Sequence, residues 1–236
     1  MNQEMKNVKK AALIVAAGSG TRMGGQQAKQ FHELNGIPLA IYPGLAFRKF
    51  QPGIELVYMI GMGTAQVWES LLRKYFPEGN WRLAMGGKSR YESVANGVKS
   101  IQNPETLVAI HDGARPFIRP AVIEHAFQVA FESRNAVLAV PAKDSLRMQD
   151  EAGRSQAVDR SRYFYVQTPQ IFWQKDLLPV YRQPYDSRFS DDATVMEMAG
   201  FDIQLVEGSY ENLKITTPED WAIAEMILEK SSGYGR

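Results

Sequence analysis

Residues 11–25 read Ala11-Ala12-Leu13-Ile14-Val15-Ala16-Ala17-Gly18-Ser19-Gly20-Thr21-Arg22-Met23-Gly24-Gly25. The apolar run Ala11–Ala17 lasts seven residues and stops at glycine. Such a run, rich in Ile, Val and Ala, predicts a strand buried on both faces. A glycine-rich turn follows it, and there backbone N–H groups can approach phosphate oxygens without a Cβ in the way. It is not a P-loop, because no Gly-Lys-Ser/Thr follows at the required spacing. Nor is it a dinucleotide fingerprint: Met23 stands where the third glycine belongs, and Met59-Ile60-Gly61 ends the next apolar run without a ribose-binding acid. Arg22 in the turn and Lys29 just beyond it add two cations, a pairing suited to a triphosphate.

Outward from this stretch, apolar runs recur at Ile54–Ile60, Thr106–Ile110 and Ala136–Val140, the last stopped by Pro141. Amphipathic segments separate them. Ala65–Phe76 places Val67, Leu71, Leu72 and Phe76 on one helical face, and Ser89–Ile101 gathers Val94, Val98 and Ile101. Pro120–Phe131 opens with proline at a first helical position. The alternation predicts an α/β fold, a largely parallel sheet with helices on both faces. After Pro141 the rhythm breaks. Residues 142–162 alternate weakly, turn at Glu151-Ala152-Gly153 and alternate weakly again, as an exposed hairpin does. An isolated hairpin is marginal in water, so it is either a mobile surface loop or an arm packed on something else, such as a second subunit. Further on, Ser190-Asp191-Asp192 caps a helix closed by Gly200, Ile203–Val206 is a short strand, and Thr217-Pro218-Glu219-Asp220 starts the last helix. Residues 1–8 are expected to be a loose terminus. With no repeat and no linker, residues 1–236 are expected to form one domain with an inserted arm.

The 236 residues include no cysteine, which excludes disulfides, thiolate metal sites and a cysteine nucleophile. A formal net charge of +1 argues against a dedicated nucleic-acid or membrane-surface binder. No stretch approaches a membrane span, and the polar, basic start lacks a signal-peptide core, so a cytoplasmic protein is expected.

Ala16-Ala17-Gly18 through Gly24, followed by Lys29-Gln30-Phe31, resembles the nucleotidyltransferases that load a nucleotide onto a sugar or polyol phosphate. Further segments narrow the likeness: Gly86-Gly87-Lys88-Ser89-Arg90-Tyr91-Glu92-Ser93-Val94, His111-Asp112-Gly113-Ala114-Arg115-Pro116-Phe117, Val158-Asp159-Arg160, Gln167-Thr168-Pro169-Gln170 and Asn212-Leu213-Lys214-Ile215-Thr216. Together they resemble the 2-C-methyl-D-erythritol 4-phosphate cytidylyltransferases of the non-mevalonate isoprenoid pathway, in order from about residue 11 to residue 229. The resemblance implies a Rossmann-like nucleotidyltransferase fold with a protruding β-arm and transfer of CMP from CTP to a polyol phosphate. It implies Mg²⁺ as the divalent cation and a homodimer in which the arm crosses to its neighbour.

The chemistry suits the residue list. The nucleophile is already a phosphate anion, so no general base is required. The obstacle is repulsion, about 4 kcal/mol for two unit charges 4 Å apart at an effective dielectric of 20. Converging cations remove it. By the likeness, Arg22 and Lys29 lie against the CTP phosphates, and Arg160 and Lys214 orient the incoming polyol phosphate. Ala16, Ala17 and Gly18 form one end of the pyrimidine pocket, and Gly86, Gly87 and Ser93 the other. Asp112, Gly113, Arg115, Ser145 and Thr168 hold the polyol phosphate. Asp112 serves the polyol or the metal, no other metal ligand is assigned, and His111 is expected to be structural. Ser145 stands where the family often has threonine, and Gln26-Gln27-Ala28 lacks a proline seen in many relatives.

Two other functions compete. Ribitol-5-phosphate cytidylyltransferases have a similar loop and similar cations, but Ala16-Ala17-Gly18 and Asp112-Gly113-Ala114-Arg115 favour the erythritol-phosphate family. A non-catalytic nucleotide-binding scaffold would have lost a charged anchor, and all four of Arg22, Lys29, Arg160 and Lys214 are present.

Overall fold

A computed structural model describes residues 3–18 and 28–233. In chain order the elements begin α1 (Gln3–Asn7), β1 (Lys9–Val15), a 3-10 turn (Lys29–Phe31), β2 (Glu33–Leu34), β3 (Ile37–Pro38), α2 (Ile41–Phe50) and β4 (Glu55–Ile60). They continue with α3 (Ala65–Tyr75), β5 (Trp81–Met85), α4 (Arg90–Ser100), β6 (Thr106–Asp112), α5 (Pro120–Ser133) and β7 (Asn135–Pro141). The arm strands β8 (Leu146–Gln149) and β9 (Ser155–Val158) precede a second 3-10 turn (Arg160–Arg162) and β10 (Phe164–Trp173). The chain closes with α6 (Gln174–Val180), α7 (Asp192–Met198), β11 (Leu205–Glu207) and α8 (Pro218–Gly233).

The main sheet runs β11-β7-β10-β6-β1-β4-β5. Neighbours are parallel except at β10, which lies antiparallel to both β6 and β7. The period-2 side-chain alternation of a strand sorts the apolar runs into two cores. Ala12, Ile14, Leu56, Tyr58, Leu107 and Ala109 face Phe47 of α2, Trp68 of α3 and Phe127 of α5. Ala11, Leu13, Val57, Met59, Val108 and Ile110 face Val94 and Val98 of α4 and Met196 of α7. Burial on both faces is why these strands read as unbroken apolar runs.

The helix starts follow local chemistry. Ser89 accepts from the Glu92 N–H at 3.1 Å, and Asp191 accepts from the Thr194 N–H at 2.9 Å. At the head of α8, Thr217 Oγ1 accepts from the Asp220 N–H at 3.3 Å while Asp220 accepts from the Thr217 N–H at 2.9 Å, a reciprocal capping box.

Several expectations need correction. The N-terminus is not loose over residues 3–8: it forms α1, and Met5 is fully buried. Lys10 holds it there by donating to the Met5 carbonyl at 2.7 Å. On α3 the buried stripe is centred on Trp68 and Leu72, and Val67 is left 52% exposed. The large indole settles the helix rotation against Tyr58 and Phe31. Pro141 ends β7 as its last residue instead of lying beyond it. The last strand is Leu205–Glu207, later than expected. Lys214 is expected to follow a short apolar strand, but residues 212–216, ahead of α8, form none.

The hairpin of residues 142–162 is present. Leu146 pairs with Val158 and Gln149 with Ser155, and the Asp150 carboxylate ties the tip to the Ala152 and Arg154 N–H groups at 3.0 and 2.9 Å. Nearly all its side chains are exposed. Beyond it, Tyr163, Phe164, Tyr165 and Val166 form an unbroken exposed apolar run.

Candidate active site

The C-terminal ends of the parallel strands in an open α/β sheet are where ligands bind. Here backbone bonds carry the ladder past the strand ends and fix three loops side by side. Ala16 N–H donates to Met59 O at 3.0 Å, Gly86 N–H to Ile60 O at 2.8 Å, and Gly113 N–H to Val15 O at 3.0 Å. A cleft of about 590 Å³ opens among these loops, with Lys29, Lys88, Arg90 and Lys214 in its wall. Gly86 is required by close approach, since a Cβ there would lie 2.3 Å from the Ala17 Cβ and 3.1 Å from the Ile60 carbonyl.

Asp112, the last residue of β6, anchors the cations. Its Oδ2 lies 3.0 Å from Lys214 Nζ and 3.5 Å from Arg115 Nε, and its Oδ1 lies 3.4 Å from Arg90 Nε. Burial pushes the Asp112 carboxyl up, but Arg90, Lys214 and Arg115 together outweigh it and hold the group well below the usual carboxylate range. Arg90 is gripped from its other side by Asp192, which accepts two bonds at 2.8 and 2.7 Å and a third from the Tyr181 hydroxyl at 2.6 Å. This cluster of three cations and two carboxylates has an excess of one positive charge and faces the cleft, which suits an anionic ligand.

Behind Asp112 the hydrogen bonds determine a tautomer. His111 Nε2 lies 3.1 Å from the Arg115 carbonyl, which can only accept, so the ring proton sits on Nε2. Nδ1 then accepts from the Thr168 hydroxyl at 3.2 Å, and Thr168 Oγ1 accepts from the Asp112 N–H at 3.0 Å. Burial lowers the His111 pKa to about 4. A neutral ring with both nitrogens engaged is a brace rather than a base.

Opposite Asp112, Lys29 Nζ donates to the Ile215 carbonyl at 2.5 Å, and the Ile215 N–H donates to the Ala114 carbonyl at 2.9 Å. Lys29 and Lys214 therefore share one hollow although they are separated by most of the chain.

The model of the family IspD, 2-C-methyl-D-erythritol 4-phosphate cytidylyltransferase, matches residues 10–230. The chain belongs to this family. A cytidylyltransferase of this name from Porphyromonas gingivalis (strain ATCC 33277) is 40% identical over 223 residues, covering 93% of this chain and 98% of the relative. One from Bacteroides thetaiotaomicron is 36% identical over 221 residues, covering 94% and 100%. Among solved structures, the 4-diphosphocytidyl-2C-methyl-D-erythritol synthase of Anaerococcus prevotii superposes with a TM-score of 0.84 at 26% identity, covering 97% of this chain and 100% of that one.

Within this IspD-family chain, the described site residues expected from the sequence fall into three groups. Ala16, Ala17, Gly18, Lys29, Gly87, Ser93, Asp112, Gly113 and Lys214 line the cleft. Gly86, Arg115 and Thr168 stand directly behind that lining. Arg115 Nη1 is occupied by the Asn212 carbonyl at 2.8 Å, and Thr168 is 4% exposed. Thr168 therefore braces Asp112 instead of presenting its hydroxyl to the cleft. Ser93 also spends its hydroxyl internally, accepting from the Gly87 N–H at 3.0 Å and donating to the Ser89 carbonyl at 2.9 Å. It shapes the 86–89 loop. Ser145 and Arg160 do not line the cleft, because the hairpin carries them away from the sheet, and Arg160 donates to the Lys143 carbonyl. Arg22 lies outside the described residues.

Sequence reasoning missed the roles of Arg90 and Asp192. Arg90 sits inside the Gly86–Val94 motif, but its partner is 102 residues away and reads locally as part of a helix cap. Lys88, Gln30 and Thr216 also line the cleft without having been singled out.

The donor set suits a divalent cation that brings most of its own ligands. Among the described residues no group of three or more His, Asp or Glu could hold a metal ion, and Asp112 is the one carboxylate lining the cleft. Mg²⁺ commonly binds through one carboxylate plus substrate phosphates.

Proposed function

We propose that the protein transfers CMP from CTP to 2-C-methyl-D-erythritol 4-phosphate. A phosphate oxygen of the polyol attacks the α-phosphorus, the bond from that phosphorus to the β-phosphate bridge oxygen breaks, and pyrophosphate leaves. The products are pyrophosphate and 4-diphosphocytidyl-2-C-methyl-D-erythritol. The observation that carries this reading is the convergence of Lys29 and Lys214 on one cleft beside Asp112, at the C-terminal ends of the parallel strands.

In this reading Arg22 and Lys29 neutralise the triphosphate, and Lys29 exchanges its bond to Ile215 for a phosphate oxygen. Ala16, Ala17, Gly18, Gly86 and Gly87 accept the pyrimidine through backbone groups, with Ser93 holding their loop in shape. Asp112, Gly113 and Lys214 receive the polyol phosphate, backed by Arg115 and Thr168. Lys214 turns from Asp112 toward the incoming phosphate. No residue needs to remove a proton, in keeping with the engaged, neutral His111. Mg²⁺, held by the triphosphate and reached by Asp112, would supply further charge neutralisation at the phosphates.

The site is completed by a second copy of the chain. Residues 1–236 form one domain with the arm of residues 142–162 inserted, and the exposed run Tyr163–Val166 supplies apolar surface for a homodimer. The partner's arm then brings Arg160 and Ser145 to the polyol phosphate. No described helix is long and apolar enough to cross a membrane. In this reading the enzyme acts in the cytoplasm, and its even charge balance offers no basic excess for nucleic acid or a membrane surface.

The test offers purified protein CTP, Mg²⁺ and either 2-C-methyl-D-erythritol 4-phosphate or ribitol 5-phosphate and follows pyrophosphate. Release with the erythritol phosphate is expected, and release with ribitol 5-phosphate alone overturns the reading. Mixing Arg160→Ala with Lys29→Ala protein is expected to restore hybrid activity. Failure to complement despite confirmed subunit exchange refutes a shared site.

A further inference from the structure

Lys214 stands on a stretch with no helix or strand to hold it. Residues 212–216 have no regular structure, yet the Lys214 ammonium is aimed at Asp112 at 3.0 Å. Besides Lys29 on the Ile215 carbonyl and Asp220 on the Thr216 N–H, two bonds hold the backbone around it: Arg115 Nη1 donates to the Asn212 carbonyl at 2.8 Å, and Ile215 N–H donates to the Ala114 carbonyl at 2.9 Å. Both tie the stretch to the loop after β6. A further tie runs to β10, and it depends on the side chain of Asn212.

β10 changes register against β7 between Val166 and Gln170. Such irregularities free backbone groups from the ladder, often beside functional sites. Asn212, fully buried, takes up what is freed here. Its Nδ2 donates to the Thr168 carbonyl at 2.9 Å and to Gln167 Oε1 at 3.3 Å. Gln167 grips the same stretch from the other direction, donating to the Ser209 carbonyl at 2.8 Å. Asn212 Oδ1 is buried without a hydrogen-bond partner. The amide is thus satisfied only at its donor end, the end that faces β10.

These bonds close a circuit. Asp112 N–H donates to Thr168 Oγ1, Asn212 Nδ2 donates to Thr168 O, and Lys214, two residues beyond Asn212, returns to Asp112 Oδ2. One residue of β10 therefore sets the height of both the carboxylate and the lysine. We infer that Asn212 is a positioning residue, locking the register of the 212–216 stretch on the β10 irregularity so that Lys214 meets the incoming polyol phosphate. The inference rests on the proposed role of Lys214.

Asn135 is the control. It is also buried and also clamps chain to chain, donating to the Asp202 carbonyl at 2.8 Å and accepting from the Gln204 N–H at 2.9 Å. It does so at the start of β7, the end of the sheet away from the cleft.

The experiment compares Asn212→Ala, Asn212→Ser, Lys214→Ala, the Asn212→Ala/Lys214→Ala double variant and Asn135→Ala. It measures thermal unfolding and the KM of each substrate. Both Asn212 variants are expected to raise KM for 2-C-methyl-D-erythritol 4-phosphate by about tenfold while KM for CTP stays within about twofold. The double variant is expected to be no worse than Lys214→Ala, because residues acting as one unit are not additive. Asn135→Ala is expected to lower Tm with neither KM changed. Unchanged polyol KM in both Asn212 variants, an equal rise for CTP, or full additivity with Lys214→Ala overturns the inference. If Lys214→Ala itself leaves the polyol KM unchanged, the role given to Lys214 falls and this inference with it. A raised value there, with unchanged values in the Asn212 variants, overturns the inference alone.

Discussion

Around Asp112, three cations and two carboxylates pack at 2.7–3.5 Å, with Asp192 fully covered and Asp112 8% exposed at the side chain. On the β8–β9 arm, Asp150 and Arg154 also pair at 2.9 Å, but Arg154 is 83% exposed. The distances are alike and the physics is not. Covered charges interact through a low effective dielectric, and losing one leaves its partners stranded. Exposed charges are screened, and such a pair contributes little. The cluster is organised before any ligand arrives, as electrostatic catalysis requires.

The contrast can be broken at several points. The largest effect is expected from Asp112→Ala, which strands the covered Arg115 and leaves Arg90 with Asp192 alone. Stability should fall by about 3–5 kcal/mol in urea unfolding. A loss under 1 kcal/mol would show that the cluster is solvated like the arm. Next, Lys29→Ala should lower kcat about 10²–10³-fold with only a small fall in Tm, since it removes charge stabilisation and one hydrogen bond to the Ile215 carbonyl but little packing. An unchanged kcat removes Lys29 from the mechanism.

The pH dependence sharpens the comparison. His111 falls from its usual 6.5 to about 4 on folding. Between those values the unfolded chain is protonated and the native ring is neutral, so stability is lost as pH drops through this window, by about 3 kcal/mol in all. Asp112 is held below its ordinary value. Its contribution is therefore complete above that value and disappears at still lower pH. His111→Gln should flatten the upper window and leave the lower one, as read by urea unfolding at pH 7 and pH 4.5. An unaltered slope would show that the ring is not buried neutral. The smallest effect is expected from Arg154→Ala, within about 0.5 kcal/mol. A larger loss would mean that the arm tip is covered in solution.

Much of this organisation was legible in the residues. The runs Ala11–Ala17 and Thr106–Ile110 read as strands because burial on both faces leaves no alternation of polar positions in them. The caps at Asp191 and Thr217 read correctly because capping is settled within four residues. The likeness to a family brought Lys29, Asp112 and Lys214 together on paper before the fold did so in space. What escaped was everything that depends on a distant partner. Periodicity puts Val67 in the core because it sees a stripe but not the indole of Trp68 that turns the helix. Residues 1–8 read as loose because the Lys10 bond that holds Met5 is invisible in a polar terminus. Ser93 and Thr168 read as substrate contacts because a hydroxyl in a motif does not show that its bonds are spent internally.

Composition, apolar period and glycine punctuation were therefore enough for the α/β class and the supply of cations. Those are local properties, written in spacing and residue type. Only the folded chain decided which cations meet, which hydroxyls brace and which face the cleft. Arg90 and Asp192, or Asn212 and Thr168, become neighbours through the stacking of the sheet, and only there does a carboxylate stay charged under cover while a histidine stays neutral.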